Sequence, residues 1–196
     1  KLCESGGTEY MSRINLGSGI VGYPMPVALI GTKIKGKINF MTAAWISMVS
    51  HTPPRIAVTI GNHYTTAGIK ENGVFSVAFP SVQHAELVDY CGLVSGKTTD
   101  KSQLFKCFYG TSENAPMIED FLLNVECRLE KSDVNGLNET FVGSIVDIYA
   151  DESILTRGKM DFTKLNPILL GQITTEYHAL GDKIGNAWNM GLKKKE

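Results

Sequence analysis

Apolar and polar residues alternate with period two along several segments of the chain. Ile56, Val58 and Ile60 fall on one face of such a segment, with Arg55, Ala57 and Thr59 on the other. Phe121, Leu123, Val125, Cys127 and Leu129 alternate with Asn124, Glu126, Arg128 and Glu130. Val142, Ser144, Val146 and Ile148 alternate with Phe141, Gly143, Ile145, Asp147 and Tyr149. Alternation of this kind marks strands whose two faces meet different surroundings. Further strands are predicted over Pro26–Lys35, Lys37–Met41, Ile46–Ser50 and Gly73–Phe79. Pro53-Pro54 must lie outside any central ladder, because proline has no N–H to donate, and marks the entry to the next strand. Asn135-Gly136 suits a tight connection between the strands 121–130 and 140–149.

Helical signals are short. Tyr64–Asn72 has Thr65 as N-cap and Gly73 as a stop. His84–Val94 carries Leu87, Val88, Cys91 and Val94 at helical spacing, and Gly96 follows. Tyr177–Met190 is a weaker helical segment, interrupted by Gly181 and Gly185. Many strands with few, short helices predict a closed or nearly closed barrel, which removes exposed edges. No repeat or linker divides the sequence. Residues 1–11 read as an N-terminal arm or expression remnant, with Met11 as the natural start, and residues 12–196 as one domain.

Composition narrows the function classes. The 196 residues are 43% hydrophobic and 20% charged, with a formal net charge of -1, so no strong field favours nucleic acid or membrane. No apolar stretch approaches the ~20 residues of a membrane span. Cys3, Cys91, Cys107 and Cys127 form no Cys-x-x-Cys pair, and no Cys/His cluster has zinc spacing. Cys127 reads as core. Free cysteines predict a cytoplasmic protein, and no metal site is expected. There is no Gly-x-Gly-x-x-Gly, no P-loop and no Gly-x-Ser-x-Gly elbow. Chemistry without a protein nucleophile points to a bound cofactor.

Three stretches offer a binding surface. In the segment Asn39-Phe40-Met41-Thr42-Ala43-Ala44-Trp45-Ile46-Ser47-Met48-Val49-Ser50, Ala43 and Ala44 let a flat ligand approach the backbone. Asn39, Thr42, Ser47 and Ser50 supply hydrogen bonds, and Trp45 a planar wall. A half-buried strand pair with locally bonded hydroxyls accounts for the same residues. In His63-Tyr64-Thr65-Thr66, two threonines at a helix start suit a phosphate; a plain helix cap is the alternative. In Ser95-Gly96-Lys97-Thr98-Thr99-Asp100-Lys101, a tight turn precedes two lysines able to reach a phosphate; the alternative is a solvated loop.

Taken in this order, these stretches resemble the flavin reductase-like family, in particular its flavoredoxin and ferric-reductase-like branch. The likeness runs from Pro26-Val27-Ala28-Leu29-Ile30 through the three stretches to Tyr177-His178-Ala179-Leu180-Gly181. It implies a mainly β fold, an FMN-binding split β-barrel of Greek-key type with a few short helices. It implies FMN as cofactor, with Asn39, Thr42, Ala43, Ala44, Trp45 and Ser47 along the ring and ribityl chain and the backbone at Val49 and Ser50 at the flavin's polar edge. Thr65, Thr66 and Lys101 would hold the phosphate, with Ser95, Gly96 and Lys97 nearby. Tyr177 and Trp188 are candidates to close over the ring, although packing aromatics explain them better. A homodimer is implied, with the site near its interface. The expected activity is electron transfer from NAD(P)H or a small electron carrier through FMN to free flavin, ferric complexes or a partner protein, with no catalytic side chain. A non-catalytic FMN-binding electron carrier is the second reading, and a barrel binding some other ligand the third.

Overall fold

The computed structural model describes residues 13–194; the expectations for residues 1–11 lie outside them. The chain opens with β1 (Pro24–Pro26) and β2 (Ala28–Ile34), followed by β3 (Lys37–Ala43), β4 (Ile46–His51) and β5 (Pro54–Gly61). Helix α1 (Tyr64–Asn72) leads to β6 (Val74–Phe79) and α2 (Ala85–Leu93). Two short strands, β7 (Cys107–Phe108) and β8 (Met117–Ile118), precede the long pair β9 (Leu123–Asn135) and β10 (Asn138–Ala150). The chain ends with β11 (Leu155–Thr156), β12 (Lys159–Met160), α3 (Phe162–Leu165), β13 (Ile168–Gly171) and β14 (Glu176–Ala179).

Seven strands form one antiparallel sheet in the order β3-β2-β6-β9-β10-β5-β4. Its concave face encloses Ile30, Ile56, Val58, Phe75, Val77, Cys127 and Phe141. Turn chemistry sets the registers. Lys35 and Gly36, both at positive φ, make a two-residue β2–β3 loop that pairs Ile34 with Lys37. Gly136 at φ +62° opens the β9–β10 hairpin at the predicted place. Pro54 enters β5 at the end of the β4–β5 hairpin, opposite His51. A second sheet, β1-β13-β14, lies beside the first.

Close approach fixes α1. A Cβ on Gly68 would come within 2.7 Å of Lys33 O and of Thr32 Cγ2, so only glycine lets the helix sit this near β2. Asn72 Nδ2 then donates to Lys33 O at 2.6 Å, tying the end of the helix to the same strand.

Two sequence expectations require correction, and the polar side of β9 has surroundings the alternation does not identify. The helix predicted over Tyr177–Met190 is instead β14, which pairs with β13, Tyr177 opposite Leu170; an irregular segment with Gly181 and Gly185 follows. Thr65 does not cap α1: the cap position is His63, and no side chain bonds there. Asn124 and Glu126, on the polar side of the β9 alternation, are both buried, because the segment between α2 and β9 folds over that face. Glu126 accepts from Thr111 N, Thr111 Oγ1 and Ser112 N at 2.8–2.9 Å. Asn124 closes a ring with the backbone of Ile118 and Phe121. Buried polar groups need such partners, and these two have them.

Candidate functional site

Three adjoining hollows lie where β3, the start of α1 and the end of α2 meet. The central one, of about 270 Å³, is lined by Asn39, Thr42, His63, Thr65, Ser95, Gly96 and Lys101 among others. A second, of about 260 Å³, shares Met41, Thr42 and His63 with it and extends over Ala43, Ala44, Trp45 and Gln172. A third, of about 200 Å³, shares Asn39, Tyr64 and Gly96 and reaches Lys37 and Lys97.

Local structure explains each wall. β3 is an edge strand, so it has a free side to turn towards a ligand. The α1 start carries N–H groups that no side chain caps, and such groups favour an anion. Gly92 lets α2 approach β3: a Cβ there would stand 3.3 Å from Thr42 Cβ. Thr42 Oγ1 donates to Val88 O at 2.5 Å, holding strand and helix together.

Two side chains in the central hollow have unmet bonding capacity. Asn39, 4% exposed, donates from Nδ2 to Thr65 Oγ1 at 2.8 Å, and its Oδ1 is buried with no partner. Lys101, 3% exposed, donates from Nζ to Phe40 O at 2.9 Å and Cys91 O at 2.7 Å. An ammonium has three N–H donors, so one is left over, and Lys101 forms no ion pair among the described residues. Burial holds its pKa below the ordinary lysine value, as expected for a desolvated cation without a carboxylate. Burial also lifts the neighbouring Cys91 thiol to about 11, with the lysine's charge working the other way. That thiol is inert at neutral pH.

Of the residues expected from the sequence, Asn39, Thr42, Thr65, Ser95, Gly96 and Lys101 converge on the central hollow. Ala43, Ala44 and Trp45 line the second and Lys97 the third. Four do not join them. Thr66 turns away, donating to Gly61 O at 3.2 Å and facing a separate hollow beside Lys70. Ser47, Val49 and Ser50 line none of the three hollows; they sit on the edge strand β4, where Ser47 pairs with Ala57 and Ser50 with Arg55. Lys101 differs in role from a solvated point charge: it is a buried tether across the end of α2 and β3. Tyr177 donates to Asp89 Oδ1 at 2.9 Å, and burial followed by that carboxylate pushes its pKa up to about 12. It lines none of the three hollows, nor does Trp188, which is 97% exposed. Gln172 is a site residue that the sequence did not single out, and His63, named there only within its stretch, lines two of the hollows. Among the described residues no cluster of His, Cys, Asp and Glu is arranged for a metal, and no helix is long and apolar enough to cross a membrane.

The model of the flavin reductase like domain matches residues 20–170. The chain belongs to the flavin reductase like domain family. It is similar to the crystal structure of flavoredoxin from Methanosarcina acetivorans, with 42% identity and a TM-score of 0.90 over 94% of this chain and 100% of that one. Flavoredoxin of Desulfovibrio vulgaris (Miyazaki F) aligns at 31% identity and a TM-score of 0.86, covering 92% and 100%. The FMN reductase (NADH) RutF of Agrobacterium fabrum is 26% identical over 115 residues, 58% of this chain and 64% of the relative. The mainly β split barrel expected from the sequence is the fold of this family.

A phosphorylated flavin suits the residues present. The uncapped α1 start and Lys101 suit its phosphate. The orphan Oδ1 of Asn39 suits a hydroxyl donor. The small residues Ala43 and Ala44, beside the Trp45 indole, suit a flat ring.

Proposed function

We propose that this chain binds FMN across the three hollows and serves as an FMN-dependent oxidoreductase. The observation that carries this reading is the pairing, in one hollow, of a buried carbonyl without a donor and a buried ammonium without an anion. Both carry a desolvation cost that a ligand with hydroxyls and a phosphate would relieve. In this reading Lys101 and the α1 start, through Thr65 and its neighbours, hold the phosphate, with Ser95, Gly96 and Lys97 beside it. Asn39 Oδ1 accepts from a ribityl hydroxyl. Thr42, Ala43, Ala44 and Trp45 flank the ring. Bound FMN supplies the redox chemistry, accepting and releasing electrons at its ring. The chain's residues bind it, orient it and shield it from water; none acts as an acid or base.

The donor is NAD(P)H or a small electron-carrier protein, and the acceptor free flavin, a ferric complex or a partner protein. The likeness to an NADH-dependent FMN reductase supports the first donor. A second reading, an FMN-binding electron carrier without turnover of its own, is favoured by the 42% identity to a flavoredoxin. A homodimer is part of the proposal: β4 is an edge strand with Met48 and Val49 exposed, a face for a second copy. Ser47, Val49 and Ser50 would then meet the flavin only in the assembled dimer. Free thiols at Cys91, Cys107 and Cys127 support a cytoplasmic location. The test is to load the protein with FMN and follow NADH and NADPH absorbance. Oxidation above the rate with free FMN supports the enzyme. Tight FMN without oxidation supports the carrier, and no FMN uptake ends both.

A further inference from the structure

Trp45 is the least buried wall of the ring hollow that has a defined partner. The residue is 37% exposed, so packing covers it only in part. Its backbone is fixed, because Thr59 N donates to Trp45 O at 2.9 Å and Ile46 N to Ala44 O at 3.0 Å. What remains free is rotation of the ring about its side-chain bonds. One side-chain hydrogen bond restrains it: Trp45 Nε1 donates to Gln172 Oε1 at 2.9 Å, across 127 residues of sequence. Gln172 follows β13, whose Ile168 is 1% exposed and accepts from Val27 N at 3.0 Å. The acceptor therefore stands on the first turn residue after a strand rooted in the core, just beyond the residues that match the family model.

We infer that Gln172 is a positioning residue, holding the Trp45 indole as a preset wall of the ring hollow. This rests on the FMN reading above. A wall already in place loses less side-chain entropy when the flavin enters. An indole N–H offers only a donor, so the partner must present an acceptor. Gln172→Glu keeps an acceptor of the same reach, whereas Gln172→Leu removes it with little change in volume.

The experiment uses the full chain in a Trp188→Phe background, so that Trp45 is the sole tryptophan. Emission anisotropy of Trp45 is read without flavin, and FMN affinity is then read by titration. The expected result is that Gln172→Leu lowers the anisotropy and weakens FMN about two- to tenfold, the range of one net hydrogen bond. Gln172→Glu keeps both near the parent values. Unchanged anisotropy in Gln172→Leu, or lowered anisotropy with unchanged FMN affinity, overturns the inference. Failure of the parent itself to take up FMN overturns the cofactor reading and this inference with it, and is seen before any variant is compared.

Discussion

Asn39 bonds Thr65 across 2.8 Å with one half of its amide, while the other half, Oδ1, stays buried without a partner. The bonded half ties β3 to the start of α1. The orphan half has no structural task, and a buried unsatisfied carbonyl costs about 1–3 kcal/mol. In Asn39→Leu, relief of that cost offsets the lost bond to Thr65. The expected result is a melting temperature of the flavin-free protein close to the parent's, with FMN affinity reduced by roughly 1–2 kcal/mol. Thermal melts and FMN titrations of the same preparation check it.

Lys101→Met separates phosphate binding from ring binding. Loss of a charge-assisted bond is worth roughly 1.5–3 kcal/mol. FMN should weaken by that amount, and riboflavin, which has no phosphate, should not. Parallel titrations with the two flavins give the comparison. Equal weakening of both would assign Lys101 to the scaffold alone.

The charge of Lys101 also sets a pH dependence. Burial lowers its pKa below 10.5, so between the two values the folded chain binds fewer protons than the unfolded one. Its contribution to stability therefore rises with pH across that window. Cys91 and Cys127 act oppositely: burial lifts them from 9.0 to about 11 and about 12, and their contribution is lost as pH rises past 9.0. FMN affinity follows the lysine. It should fall as pH rises through the lowered pKa, and be flat there in Lys101→Met. Titrations in a series of alkaline buffers read this out.

Thr65 and Thr66 are neighbours in sequence and opposite in placement. Thr65 faces the central hollow, and Thr66 bonds Gly61 O on the far side. Thr65→Val should weaken FMN several-fold, while Thr66→Val should leave affinity within about twofold and lower stability by roughly 0.5–1.5 kcal/mol. FMN titration and denaturant unfolding of the two variants test the assignment.

Gly96 tests the fit from the other side. A Cβ there would overlap Asn39 Oδ1 and stand 3.0 Å from Tyr64 Cδ1. Gly96→Ala should displace the amide, with a loss of stability of roughly 1–3 kcal/mol and weaker FMN. Unfolding and titration data on this one variant suffice.

Much of the barrel is legible in the alternation of Arg55–Ile60 and Phe141–Ile148, because period two survives wherever one face is core. The pattern does not identify the surroundings of Asn124 and Glu126. Their neighbours on that face come from the segment 110–121, and nothing in β9 itself announces that cover. Tyr177–Met190 misleads for a similar reason: β14 exists by pairing with β13, a long-range contact that local spacing does not encode. In the site, Asn39, Thr65 and Lys101 are visible as residue types, but the division of labour between Thr65 and Thr66 is set by helix phase. Gln172 carries no signal at all, since only the folded chain brings it to Trp45.

The central claim is a cradle that recognises the phosphate as well as the ring, and titrating the flavin-free protein with FMN and riboflavin tests it most directly. FMN should bind at least about tenfold tighter than riboflavin, or about 1.4 kcal/mol. Equal affinity for the two flavins, or uptake of neither, would contradict it.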